Sequence, residues 1–191
     1  RQLRQKADAL DKEASQALAR RAKLETEVDQ AMAREDWLAA NNGLAALAEL
    51  APLDENRLQM VQEVQGKLDD ERWAQIESEA ASNVESNKFL SAAGAYRHYG
   101  SVFANGRHGA EAREQIQAIM DAWAEQVAEE AMALAGKRQL HAAQVQVRDA
   151  LKQYPQSQRL NECQAGLSAL SKQAAQWLNE ARQALGVKAH D

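Results

Sequence analysis

Residues 37–52 read WLAANNGLAALAELAP, and their spacing decides the fold. Trp37, Ala40, Leu44, Leu47 and Pro52 stand at offsets 0, 3, 7, 10 and 15. Steps of three and four place the apolar residues on one side of a helix. Pro52 ends that helix, because proline cannot continue it and disfavours helical backbone at the residue before. Residues 140–155, LHAAQVQVRDALKQYP, repeat the offsets with Leu140, Ala143, Val147, Ala150 and Pro155. Residues 89–104 repeat them with Phe89, Ala92, Tyr96 and Tyr99, and Ala104 takes the place of the proline. The three starting positions are 52 and 51 residues apart. A further stop falls at Asn105-Gly106, where glycine tolerates the left-handed conformation of a helix end.

Longer helical patterns lie between these short ones. Leu58, Val61, Val64, Leu68, Trp73, Ile76, Ala80 and Val84 form one stripe. Ala112, Ile116, Ile119, Trp123, Val127, Ala131 and Leu134 form a second. Leu160, Cys163, Leu167, Leu170, Trp177, Ala181 and Leu185 form a third. At the start, Leu3, Ala7, Leu10, Ala14, Ala17, Leu24, Val28 and Ala31 approach a heptad seam, interrupted by Arg21. The expected layout alternates long and short helices over 1–34, 36–50, 55–86, 88–104, 108–135, 138–153 and 157–185. Composition agrees. The chain has one Thr and three Ile and is 5% aromatic, so a sheet has little to be made from. Ala, Leu, Glu, Gln, Lys and Arg dominate, and these lose little side-chain freedom in a helix. Trp37, Trp73, Trp123 and Trp177 sit on the apolar stripes and are expected in the core. Trp177 is expected to cover the preceding unit from a last helix that acts as a cap.

The short-helix pattern resembles the tetratricopeptide repeat family. There a large residue opens the second helix, alanine follows three later, bulky residues occupy the next two turns, and proline closes. Residues 37–52 and 140–155 match throughout, and 89–104 match without the proline. Val28, Ala80 and Ala131 lie where small residues of the family let paired helices approach. Two features depart from the family. Its period is about 34 residues, against about 51 here. Its glycine-rich hairpin turn is replaced by Arg34-Glu35-Asp36, Glu85-Ser86-Asn87 and Gly136-Lys137-Arg138. The resemblance implies an all-α protein of about seven helices, a right-handed α-solenoid of TPR-like hairpins. Its parts would be an N-terminal long helix (1–34), a repeat array (35–155) and a C-terminal capping helix and tail (156–191), forming one continuous domain.

Charge bears on partners. The net charge is −5, unevenly spread. Residues 1–34 carry 8 basic and 6 acidic side chains, residues 35–136 carry 7 and 18, and residues 137–191 carry 8 and 4. An acidic middle repels phosphate backbones, so nucleic acid is not the expected partner. No apolar run is long enough to suggest a membrane span, and no signal peptide is visible. The expectation is a soluble protein, cytoplasmic rather than periplasmic. The chain opens at Arg1 rather than Met and reads as an excised or processed segment. Cys163, the single cysteine, is expected to be a small buried or half-buried residue.

No catalytic constellation emerges. There is no Gly-x-Ser-x-Gly elbow and no phosphate loop. His108 and Glu111 have a spacing that two ligands on one helix can use. A bundle metal site needs a second such pair, which is absent. His98, His141 and His190 stand apart from it. No cofactor or metal is expected, and the chain does not read as an enzyme. The family resemblance implies ligands in a groove lined by the first helices. Chaperone-binding members clamp a peptide carboxylate there with Lys, Arg and Asn. The matching stretches here hold Glu25, Asp29, Glu77, Ala81, Ala128 and Met132, an acidic and apolar set suited to a basic or amphipathic helical segment. The candidate partner-binding residues are Glu77, Glu79, Glu125 and Glu129, with Tyr96 and Tyr99 in a polar-aromatic patch beside Arg97 and His98. The expected function is a non-catalytic scaffold that binds a protein or peptide. The alternatives are a homo-oligomer held by helix 1–34 and a regulatory domain of a larger enzyme.

Overall fold

The structure is a computed structural model and describes residues 2–103 and 106–185. Ala104, Asn105 and His190, and the side chains of Leu3 and Ala7, fall outside the described residues. Seven α-helices follow one another: α1 Gln2–Ala33, α2 Trp37–Leu50, α3 Glu55–Glu85, α4 Phe89–Val102, α5 Gly109–Gly136, α6 Leu140–Gln153 and α7 Gln158–Ala184. Among the described residues there is no strand. Long helices of 32, 31, 28 and 27 residues alternate with short ones of 14. Every observed boundary lies within two residues of its expected place.

The turn from long helix to short helix is built identically three times. Glu35, Asn87 and Arg138 have φ of 56°, 56° and 62°, in the left-handed region. Each donates its N–H to the carbonyl three residues back, and the next residue donates to the carbonyl five residues back. In the first turn these bonds are Glu35 to Met32 at 3.1 Å and Asp36 to Ala31 at 3.0 Å. This is the Schellman arrangement, which satisfies carbonyls left open at a helix C-terminus. The second residue of the turn then opens the next helix. Asp36, Lys88 and Gln139 accept the N–H groups of Ala40, Ala92 and Ala143 at 2.9, 3.0 and 3.1 Å. Asp36 also caps α2 by accepting the Ala39 N–H at 3.0 Å. Past each proline a capping side chain restarts the chain. Asp54 accepts the Arg57 N–H at 2.8 Å, and Ser157 accepts the Leu160 N–H at 3.2 Å.

The chain forms two compact units. The first comprises Arg1–Glu77 and Tyr99–Gly109. In it α1 packs on α2, and Val28, Ala31, Ala40, Leu44, Leu47 and Val64 form a buried cluster. Gly43 lets the helices close: a Cβ there would stand 2.5 Å from Val28 Cγ2. Arg57, at the start of α3, reaches back to Asp29 of α1 at 2.6 Å.

The second unit comprises Ser78–His98 and Ala110–Asp191. Its core is rich in alanine. Ala112, Ala124, Ala128 and Ala131 of α5 and Ala143 of α6 are at most 2% exposed. Cys163 of α7 is buried, and its Sγ lies 3.8 Å from the Ala128 carbonyl. Burial pushes its thiol pKa up. Arg159, at the start of α7, meets Glu125 of α5 at 2.7 Å.

The tryptophans do not all enter the core. Trp73 is buried, Trp37 and Trp123 are half-buried, and Trp177 is 62% exposed. The expectation that Trp177 covers the preceding unit is therefore corrected. α6 has 14 residues against the 27 of α7. It packs on α7, and the buried residues of α7 are Leu160, Cys163 and Leu167. From Lys172 to Leu185 every residue is exposed. The helix is amphipathic along its full length, but none of its side chains from Lys172 to Leu185 is buried.

Candidate functional site

The expected acidic residues are on the surface. Glu77, Glu79, Glu125 and Glu129 are all exposed. Glu77 belongs to the first unit and the other three to the second. Glu125 and Glu129 lie one turn apart on α5, and Glu125 is paired with Arg159. The tyrosines are inside: Tyr96 is 5% exposed and Tyr99 0%. Neither side chain presents a surface to a partner. The sequence explains this, since Tyr96 and Tyr99 occupy the offsets that bury Leu44 and Leu47 in α2.

Tyr99 instead organises a polar cluster in the first unit. Its hydroxyl donates to Asp69 Oδ1 at 2.5 Å, and the Arg107 backbone N–H donates to Asp69 Oδ2 at 2.8 Å. Asp69 is 5% exposed, so two donors satisfy a buried carboxylate. Burial, and then the bond to Asp69, push the Tyr99 pKa up to about 12. The ring meets Trp73 edge-on at 5.1 Å, and His108 stacks on Trp73 at 4.8 Å with planes 6° apart. His108 Nε2 lies 3.1 Å from Asp70 Oδ1. The Arg107 guanidinium crosses α3 in the space above Gly66, where a side chain would stand, and meets Asp70 at 3.5 Å. Together these contacts fasten the segment after α4 onto α3. An open cleft of about 590 Å³ lies alongside, with Asn41, Gln62, Gln65 and Arg107 as polar lining and Leu68 and Phe103 as apolar lining.

The second unit repeats the fastening with different parts. Tyr154 follows α6 and donates to Asp121 of α5 at 2.8 Å. Gln117 completes the group, bonding both the Tyr154 hydroxyl and Asp121 Oδ2. Burial and the Asp121 bond raise the Tyr154 pKa. Gln65 and Asp69 stand in the same i, i+4 relation as Gln117 and Asp121, 52 residues earlier. In the first unit the Arg107 N–H takes the place of the glutamine amide, and Gln65 faces the cleft. Sequence reasoning passed over these aspartates. The 52-residue recurrence of Gln-x-x-x-Asp is the signal that marks them.

The second unit also has an open groove of about 640 Å³ between Met132 of α5 and Gly166, Ala169, Leu170 and Gln173 of α7. Met132 and Leu170 are 44% and 41% exposed. Glu129 lies one turn from Met132 on the same helix. The groove is apolar along Met132, Ala169 and Leu170, with Lys172, Gln173 and Gln176 as its polar lining.

Among the described residues no group of three or more His, Cys, Asp and Glu could hold a metal ion. Among them, too, no helix is long and apolar enough to cross a membrane. His108 and Glu111 do not gather a metal-ligand set of that size. The chain matches no family model, no curated protein and no solved structure.

Proposed function

We propose that this chain is a non-catalytic scaffold, a right-handed array of TPR-like hairpins that binds a basic, amphipathic segment of a partner protein. The observation that carries the reading is the groove of the second unit. Exposed Met132 and Leu170 line it, and Glu129 stands one turn away. An apolar helical face can lie between Met132 and Leu170 while a lysine or arginine meets Glu129 on the α5 side, with Lys172 lining the α7 side. Three hairpins with one turn geometry support the array, because a long–short pair leaves apolar surface that a neighbouring pair can cover. Glu125 is partly engaged by Arg159 and contributes less than Glu129.

A fluorescently labelled 18-residue amphipathic Leu/Lys peptide tests this by anisotropy at low and high salt. Salt-sensitive binding is expected, weakened at least tenfold by Glu129→Lys or Met132→Asp and unchanged by Glu63→Lys on α3. Equal binding by all variants would overturn the groove reading.

A further inference from the structure

We infer that the free N-terminal half of α1 is a pairing surface for a second copy of this chain, joined in parallel. This stands apart from the groove and does not depend on it. α1 spans 32 residues, about 48 Å, while α2 spans 14, about 21 Å. The two pack together as a hairpin, so α2 reaches only the later half of α1. Arg21 lies beside Leu47 and Ala51, at the end of α2. Beyond that point the seam that buries Val28 and Ala31 continues through Ala17, Ala14 and Leu10, all exposed, with Leu10 at 65%. The same face of one helix is thus core on one side of Arg21 and uncovered on the other.

Charge selects the occupant and its direction. With Ala14 and Arg21 at heptad position a, and Leu10, Ala17 and Leu24 at d, Lys6, Glu13 and Arg20 take g while Asp11, Leu18 and Glu25 take e. In a parallel pair each g residue faces the e residue five places later on the other helix. Within the uncovered stretch Lys6 then meets Asp11 and Glu13 meets Leu18, with no like-charged pair; Glu25, past Arg21, is held by Arg21 of its own helix at 2.9 Å. An antiparallel pair confined to the uncovered stretch sets Lys6 against Arg20, Glu13 against Glu13 and Asp11 against Asp11. The antiparallel register with complementary charges needs Leu24, which the core already holds. Arg21 marks where the two copies part, each turning into its own hairpin.

Three measurements on the whole chain test this. Light scattering over a range of concentrations should show a monomer passing to a dimer. Ala14→Cys, in a Cys163→Ser background, should form a disulfide between copies on oxidation. Ser15→Cys, on the outer face, should not. Lys6→Glu or Asp11→Lys alone should weaken the dimer roughly fivefold or more, the scale of two exposed ion pairs, and the double exchange should restore it. A monomer at all concentrations, or single exchanges that the double does not rescue, overturns the inference. So does cross-linking that needs Ala14→Cys mixed with Ala17→Cys, the antiparallel signature.

Discussion

The Tyr99 hydroxyl donates to Asp69 at 2.5 Å, and the contact joins residues thirty apart in sequence. Removing the hydroxyl leaves a buried carboxylate held by the Arg107 N–H. Tyr99→Phe should therefore cost about 2–3 kcal/mol, the usual scale for a lost bond to a buried charge. Tyr154→Phe should cost less, about 1 kcal/mol, because Asp121 is exposed and keeps Gln117. Urea unfolding of the two variants checks the order, and equal losses would mean that burial of the aspartate is not what separates them.

The same pair sets a response to alkali. Tyr99 has its pKa raised from 10.0 to about 12 in the folded chain, chiefly by burial. A raised pKa means the fold favours the protonated phenol. The stabilisation is complete below pH 10 and is lost as the pH climbs toward 12. Tyrosinate absorption should show a late step to which Tyr99 contributes beside Tyr154, together with loss of helix. In Tyr99→Phe the late absorbance should fall by one tyrosine while unfolding moves to lower pH.

How much of this was legible depended on range. Helix ends were readable because Pro52, Pro155 and the apolar offsets act within a few residues. The Asp69–Tyr99 contact was not, since nothing local to Asp69 names a partner on another helix. Arg97 and His98 suggest a polar-aromatic patch around Tyr96 and Tyr99, although the offsets of the two tyrosines already assign them to the core. Trp177 failed for a different reason. Periodicity shows which face of α7 is apolar, but not that α6 is too short to cover it.

The hairpin turns carry a cost that can be removed. Glu35, Asn87 and Arg138 all hold positive φ. Glutamate and arginine adopt that conformation at about 1–2 kcal/mol, while glycine adopts it freely and asparagine at less expense. Part of the gain from glycine is offset by its greater freedom when unfolded. Glu35→Gly and Arg138→Gly should each stabilise by about 0.5–1 kcal/mol, and Asn87→Gly by less. Thermal melts of the three variants test the ranking. A loss of stability in Arg138→Gly would mean that its side chain contributes more than its backbone costs.

Two helical glycines should answer alanine with opposite signs. Propensity alone favours alanine by about 1 kcal/mol at each. At Gly43 the new methyl would stand 2.5 Å from Val28 Cγ2, a fully buried side chain in the α1–α2 interface. Neither helix can yield without disturbing Leu44 and Leu47, and overpacking of this kind costs about 1–3 kcal/mol. Gly43→Ala should therefore be neutral to destabilising, by up to about 2 kcal/mol once the propensity gain is subtracted. At Gly66 the obstacle is the far end of the Arg107 side chain, which is 62% exposed and free to swing into solvent. The ion pair it would leave, to Asp70 at 3.5 Å, is exposed and worth little. Gly66→Ala should therefore stabilise by about 0.5–1 kcal/mol, and by slightly more when Arg107 is already alanine. A double-mutant cycle on Gly66 and Arg107, read by urea midpoints, checks this. If Gly66→Ala destabilises the wild-type chain and Arg107→Ala removes the loss, the guanidinium holds its place above α3 more tightly than its exposure implies.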